Sequence, residues 1–255
     1  MDQSPPVSPS STLSVGSDES YWSADSVYLD VGRDRRDPVS ATLADAILAR
    51  DLEQVQTLVR EGAWIAPCHQ WTLYQACLSG VDMLAALQSP GVDFTRPVPD
   101  EDGESVLHFL LRTPAAQFSG EKTAVIRHLL ENGVSPVEPG KLGDTPLHTA
   151  AGSDVHEEGC ALLKLLLGND GSGRPYISQD RQAHIDRRND YFYTPLAIAV
   201  SCNNVGGARL LLENGADPRA HTGPGGKGGP PLSFAAELHG SEIVDLLLAY
   251  GAETE

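Results

Sequence analysis

The sequence predicts an all-α solenoid, a stack of helix–turn–helix units with turn-rich fingers between them. Two observations point there. The stretch Thr145-Pro146-Leu147-His148-Thr149-Ala150-Ala151 returns as Thr194-Pro195-Leu196-Ala197-Ile198-Ala199-Val200, and again as Pro231-Leu232-Ser233-Phe234-Ala235-Ala236. The last two copies are each followed by an apolar run closed by a glycine, Leu210-Leu211-Leu212-Glu213-Asn214-Gly215 and Leu246-Leu247-Leu248-Ala249-Tyr250-Gly251, with 20 positions from Pro195 to Gly215 and from Pro231 to Gly251. Thr42 to Gly62 repeats that spacing of 20. A helix-pair unit recurring every ~30 to 50 residues is the signature of a stacked-repeat chain.

Each part of the unit has a physical reason. Thr before Pro supplies a capping side chain and then a residue preset for the first helical turn. Ala150 and Ala151 are small, so a second helix can approach closely behind them. Leu162, Leu163, Leu165, Leu166 and Leu167 are apolar nearly all round, as suits a helix buried between neighbours. Gly215 and Gly251 stand where a helix ends with positive φ. One such unit cannot bury its apolar face alone, so its neighbours must complete the core.

These residues resemble the ankyrin repeat: a TPLHxAA helix start, a second helix ending LLLxxGA, and a β-turn finger between units. The resemblance implies an ankyrin-repeat solenoid over residues 39–255, in six units starting near 41, 71, 105, 145, 194 and 230. Their closing glycines are then Gly62, Gly91, Gly133, Gly171, Gly215 and Gly251. Departures from the pattern stand out. The third unit needs 27 positions from Val106 to Gly133, with the excess around Thr113–Lys122. The fourth closes late and carries an insert, Ser172–His184; Ser105-Val106 replaces Thr-Pro, and Phe192 stands where the finger turn usually has glycine.

Composition bounds the function. The net charge is −17; residues 1–38 carry seven acidic and three basic side chains, so the repeats hold most of the excess. An acidic array repels phosphate backbones, which excludes nucleic acid as an expected partner. It favours a protein partner with a basic patch, although acidity also serves solubility alone. No apolar run approaches the ~18 residues of a membrane span, and the N-terminus lacks the order of a secretory signal. Cys68, Cys77, Cys160 and Cys202 are scattered without zinc spacing and read as reduced thiols, so the chain is expected inside the cell, in cytoplasm or nucleus. Residues 1–38, rich in Ser, Pro and Asp with few aliphatics, are expected to be a disordered tail. Within it, Ser4-Pro5 and Ser8-Pro9 resemble proline-directed phosphorylation sites, and Tyr21, Trp22 and Tyr28 form an aromatic cluster amid acids.

The chain offers no constellation for catalysis. His108 and His148 take the TPLH position, where the resemblance implies a structural imidazole bonding between neighbouring fingers. His156, Glu157 and Glu158, placed in an inserted loop, lack a second histidine at helical spacing, so no metal site is expected. Gly223–Pro231 is glycine-rich around Lys227, but neither Ser nor Thr follows the lysine and no strand precedes the loop, so no phosphate loop or cofactor is expected. The chain therefore reads as a non-enzymatic protein–protein interaction module. The alternative is a recognition or regulatory subunit, or fragment, of a larger assembly whose effector lies on another chain.

In ankyrin-like arrays the fingers and first helices form the concave contact face. Carried over by position, this places fingers at Asp100–Glu104, Leu142–Asp144, Asn189–Tyr193 and Thr222–Gly229. The expected contact residues are Asp102, Glu104, Phe109, Asp144, Thr149, Arg188, Tyr191, Tyr193, Ile198 and Lys227. Tyr191-Phe192-Tyr193 carries the strongest expectation, because aromatic side chains supply a large share of interface energy, with packing of Tyr193 on the next finger as the competing reading. The final helix, Ile243–Tyr250, is apolar nearly all round where a terminal repeat needs a polar outer face, so either this C-terminal repeat docks on a partner or a second copy, or the chain is a fragment of a longer array.

Overall fold

The computed structural model describes residues 38–63, 70–88, 105–153, 156–169, 171, 176–177, 181–223, 229–238 and 241–253. Residues 1–37, with the motifs of the tail, and Gly91 lie outside them. Among the described residues thirteen α-helices and two 3-10 turns occur, with no strand. Twelve of the helices form six consecutive pairs: α1 Pro38–Leu48 with α2 Leu52–Arg60, α3 Gln70–Ser79 with α4 Val81–Leu87, and α5 Val106–Arg112 with α6 Lys122–Glu131. Then come α7 Pro146–Ala151 with α8 His156–Leu167, α10 Pro195–Ser201 with α11 Val205–Glu213, and α12 Pro231–Leu238 with α13 Ser241–Ala249. The short helix α9, Arg181–Ile185, falls in the long insert of the fourth unit.

The first helices of each pair stack on one another in order, α1 on α3, then α5, α7, α10 and α12. The second helices form a parallel row, α2, α4, α6, α8, α11 and α13. The core runs between these rows. Leu107, Leu110, Leu147, Ala150, Leu196 and Ala199 fill it from the first row, and Ile126, Leu129, Leu162, Leu166, Leu211 and Leu247 from the second, all essentially without exposure. Ala150, Ala199 and Ala235 let the rows approach closely, as their size predicts.

Five of the second helices end by one rule. Ala216 N–H donates to Leu211 O at 3.0 Å and Gly215 N–H to Leu212 O at 3.0 Å, with Gly215 at φ +94. This double bond from a left-handed residue satisfies carbonyls that the ending helix would leave orphaned. The same pair of bonds closes α2 at Gly62, α6 at Gly133 and α13 at Gly251. The fourth unit corrects the expected closing glycine. Gly168, not Gly171, closes α8: Asn169 N–H reaches Lys164 O at 2.7 Å and Gly168 N–H reaches Leu165 O at 3.1 Å. A second correction concerns His156, which begins α8 and does not lie in an inserted loop.

Helix starts also follow local chemistry. The Thr194 hydroxyl accepts Ala197 N–H at 3.2 Å. At Thr145 both the backbone N–H and the hydroxyl bond to Nδ1 of His148, at 3.1 and 2.9 Å. Ser105 replaces Thr without loss, since its hydroxyl reaches His108 Nδ1 at 2.8 Å.

Candidate protein-binding surface

The fingers are tight turns closed by backbone bonds, Gly140 N–H to Asp144 O at 2.7 Å, Asn189 N–H to Tyr193 O at 3.0 Å, and Thr222 N–H to Gly229 O at 2.9 Å. Each of the first two is anchored by a histidine from the preceding unit. His108 Nε2 donates to Asp144 O at 2.9 Å, and His148 Nε2 to Tyr193 O at 3.0 Å. The carbonyl can only accept, so the proton sits on Nε2 and Nδ1 accepts from the residue at the helix start. A histidine at the head of a first helix thus anchors the next finger twice.

Burial pushes both imidazoles below their ordinary pKa of 6.5, against the bonds to Asp144 O and Tyr193 O, which pull upward. Arg187 adds to the lowering at His148. The unfolded chain therefore binds these protons at a higher pH than the folded chain does. Stability from this source is full above about pH 6.5, falls as pH drops below it, and levels off beneath the folded values. The urea midpoint is expected to be lower at pH 5 than at pH 7.5, and His148→Gln, which does not titrate there, is expected to flatten that slope. Equal slopes for both proteins would show that His148 is not held neutral.

Asn189 organises the second of these fingers. Its side-chain oxygen accepts Tyr191 N–H at 3.1 Å and Tyr193 N–H at 2.9 Å, while its amide donates to Asp144 Oδ1 at 2.8 Å on the neighbouring finger. Asp190 N–H then bonds Leu142 O at 2.8 Å. Two adjacent fingers are thereby locked together, and their tips are held on one platform. On it stand Leu142, 45 % exposed, Tyr191, 55 %, and Phe192, 41 %. Leu142 and Phe192 both adopt positive φ, +61 and +65, a conformation that costs a bulky residue of order 1 kcal/mol. Aligning the closing bonds of the two turns puts Phe192 opposite Gly143, which has φ +72. A residue that is strained, apolar and exposed contributes little to folding.

Several expected contact residues are occupied in other ways. Phe109 stacks on Tyr74, ring centroids 4.1 Å apart at 14°, and so joins α3 to α5. Asp144 holds Asn189, and Ile198 is half-buried against the core. Thr149 is half-buried, with its hydroxyl 3.5 Å from Thr145 O. Tyr193 is half-buried and meets Phe234 edge-on at 6.2 Å, so packing takes its ring. Arg188 and Tyr191 are exposed. Asp102, Glu104 and Lys227 lie outside the described residues.

Two buried polar residues that join neighbouring units have no counterpart among the sequence expectations. Asn204, fully buried, caps α11 by accepting Gly207 N–H at 2.8 Å and donates to Ala151 O at 3.1 Å in the previous unit. Lys122, 4 % exposed, donates to Leu111 O at 2.9 Å and Thr113 O at 2.7 Å, and forms an ion pair with Glu158. An Asn just ahead of an apolar helix is a readable cap signal, but neither cross-unit bond has one.

No group of three or more His, Cys, Asp or Glu side chains is placed to hold a metal among the described residues. The Cys77 thiol is pushed far up by burial, and Cys160 upward as well. No described helix is long and apolar enough to cross a membrane.

Comparison with known proteins agrees with this architecture. Residues 113–222 match the family model for ankyrin repeats, in three copies. A stretch of 112 residues, 44 % of the chain, is 35 % identical to part of Neurogenic locus notch homolog protein 4 of Homo sapiens. The match covers only 4 % of that protein's length.

Proposed function

We propose that this chain, an ankyrin repeat protein, acts as a non-catalytic binding module whose protein partner docks on the joined finger tips at Leu142, Tyr191 and Phe192. The observation that carries the proposal is the pairing of exposure with strain at Phe192. Strain of this kind persists where surrounding structure enforces it, and it clusters at ligand-contact sites. Aromatic anchors on a rigid platform also lose little conformational freedom on binding. Arg188 beside the platform adds a polar rim. The repeats are taken to span residues 39–255 in six units, with Asp102, Glu104 and Lys227 on the flanking fingers extending the same face. Reduced Cys77, Cys160 and Cys202 support a cytoplasmic or nuclear location.

The second reading, a recognition part of a larger assembly, is favoured by the size of the relative, in which the matching stretch is a small portion. Both readings use the same platform. The partner captured from cells by crosslinking to the wild-type chain is expected to bind Tyr191→Ala and Phe192→Gly at least about tenfold more weakly. Phe192→Gly is expected meanwhile to leave the melting temperature unchanged or to raise stability by up to about 1 kcal/mol, since it relieves the backbone strain. Full affinity in both variants would remove the finger tips as the docking site.

A further inference from the structure

We infer that α13 carries a second, independent docking face, and that its occupant is a helix of another protein with an apolar ridge flanked by lysine or arginine. The face is defined by position within the repeat. The third residue before the closing glycine is Leu130 in the third unit and Leu212 in the fifth, 6 % and 4 % exposed. In the last pair it is Leu248, 46 % exposed. One turn before Leu248, Val244 is half-buried. In the second-helix row α6 packs on α8 and α11 on α13. Leu248 and Val244 are spaced i, i+4 and therefore share one side of α13. The face is thus a continuation of the surface that joins each second helix to the next, and a helix is the shape it fits.

Charge selects the occupant. From Gly229 to the last residue the sequence has five acidic side chains, Glu237, Glu242, Asp245, Glu253 and Glu255, and neither lysine nor arginine. Glu237, Glu242 and Asp245 are exposed, and Asp245 lies three positions before Leu248, on the same side of the helix. Glu253 is already engaged by Arg219, which also donates to Gly251 O at 2.8 Å. A second copy of the chain would bring acid against acid at this rim, whereas a basic-flanked ridge complements it.

The test uses the full chain and two synthetic amphipathic peptides of about 18 residues, five helical turns, sharing one leucine ridge. One is flanked by lysine and the other by glutamate. The lysine peptide is expected to bind at least tenfold more tightly than the glutamate peptide, and to weaken as salt rises. Leu248→Gln is expected to reduce that binding about tenfold; because Leu248 is exposed, its helical circular dichroism and melting temperature should match wild type. Glu242→Lys with Asp245→Lys is expected to reverse the peptide preference. Tyr191→Ala is expected to have no effect, which separates this face from the finger tips. Failure of both peptides to bind, equal binding of the two, or wild-type binding by Leu248→Gln would overturn the inference. So would a concentration-dependent dimer in sedimentation that Leu248→Gln abolishes, since the occupant would then be a second copy.

Discussion

Asn204→Ala is expected to lower the unfolding free energy by about 3 kcal/mol, the sum of a lost helix cap and an orphaned buried carbonyl. Asn204 is fully buried and uses both ends of its amide, the oxygen on Gly207 N–H and the nitrogen on Ala151 O. Alanine leaves both partners without water or a substitute. Asn204→Asp separates the two contributions. It keeps the cap, which a helix N-terminus favours in anionic form, but places a buried carboxylate oxygen against the carbonyl of Ala151. If the cross-unit bond matters, aspartate should do no better than alanine; recovery of most of the stability by aspartate would assign the effect to the cap alone. A denaturant titration of the three proteins decides between these.

The effect should reach the candidate site. Asn204 joins the α7–α8 pair to the α10–α11 pair, and the two locked fingers straddle that same junction. In a stacked array each unit draws stability from its neighbours. Hydrogen exchange at the Asp190, Tyr191 and Tyr193 amides is therefore expected to accelerate in Asn204→Ala, well before the core amides of α6.

The contrast between what the sequence reveals and what it conceals has a physical basis. Thr194-Pro195, the alanine pairs and the closing glycines act within a few residues of themselves, so their chemistry recurs with the period and can be read from it. Asn204 and Lys122 act across units, on partners 53 and 36 positions away, and each occurs once. The end of α8 lies at Gly168, 22 positions after Pro146 and nearer the spacing of 20 than Gly171 at 25, and the backbone bonds close there. At the candidate site the aromatic run was legible, and the division of labour inside it was not. Tyr193 packs on Phe234 while Tyr191 is free of that ring, and only the position of α12 determines which is which.

Lys122→Met should cost about 3 kcal/mol, the scale for breaking a buried pair on one side. The extra residues of the third unit, with a 3-10 turn at Ala115–Gln117, bring Lys122 to the head of α6. From there its ammonium meets Leu111 O and Thr113 O at the end of α5, where terminal carbonyls and the helix dipole both attract a cation. Burial pushes the Lys122 pKa down, and Glu158, on α8 of the next unit, pushes it back up. Methionine fills the stem's volume but leaves those carbonyls unpaired. It also leaves Glu158 without its cation, at a side chain 17 % exposed and so partly solvated. Glu158→Gln in the Lys122→Met background should therefore change stability by less than about 1 kcal/mol, although Glu158→Gln alone should be clearly destabilising. Additive losses in that double-mutant cycle would mean that the carbonyls alone hold the lysine. The ion pair would then contribute nothing to joining the third and fourth units.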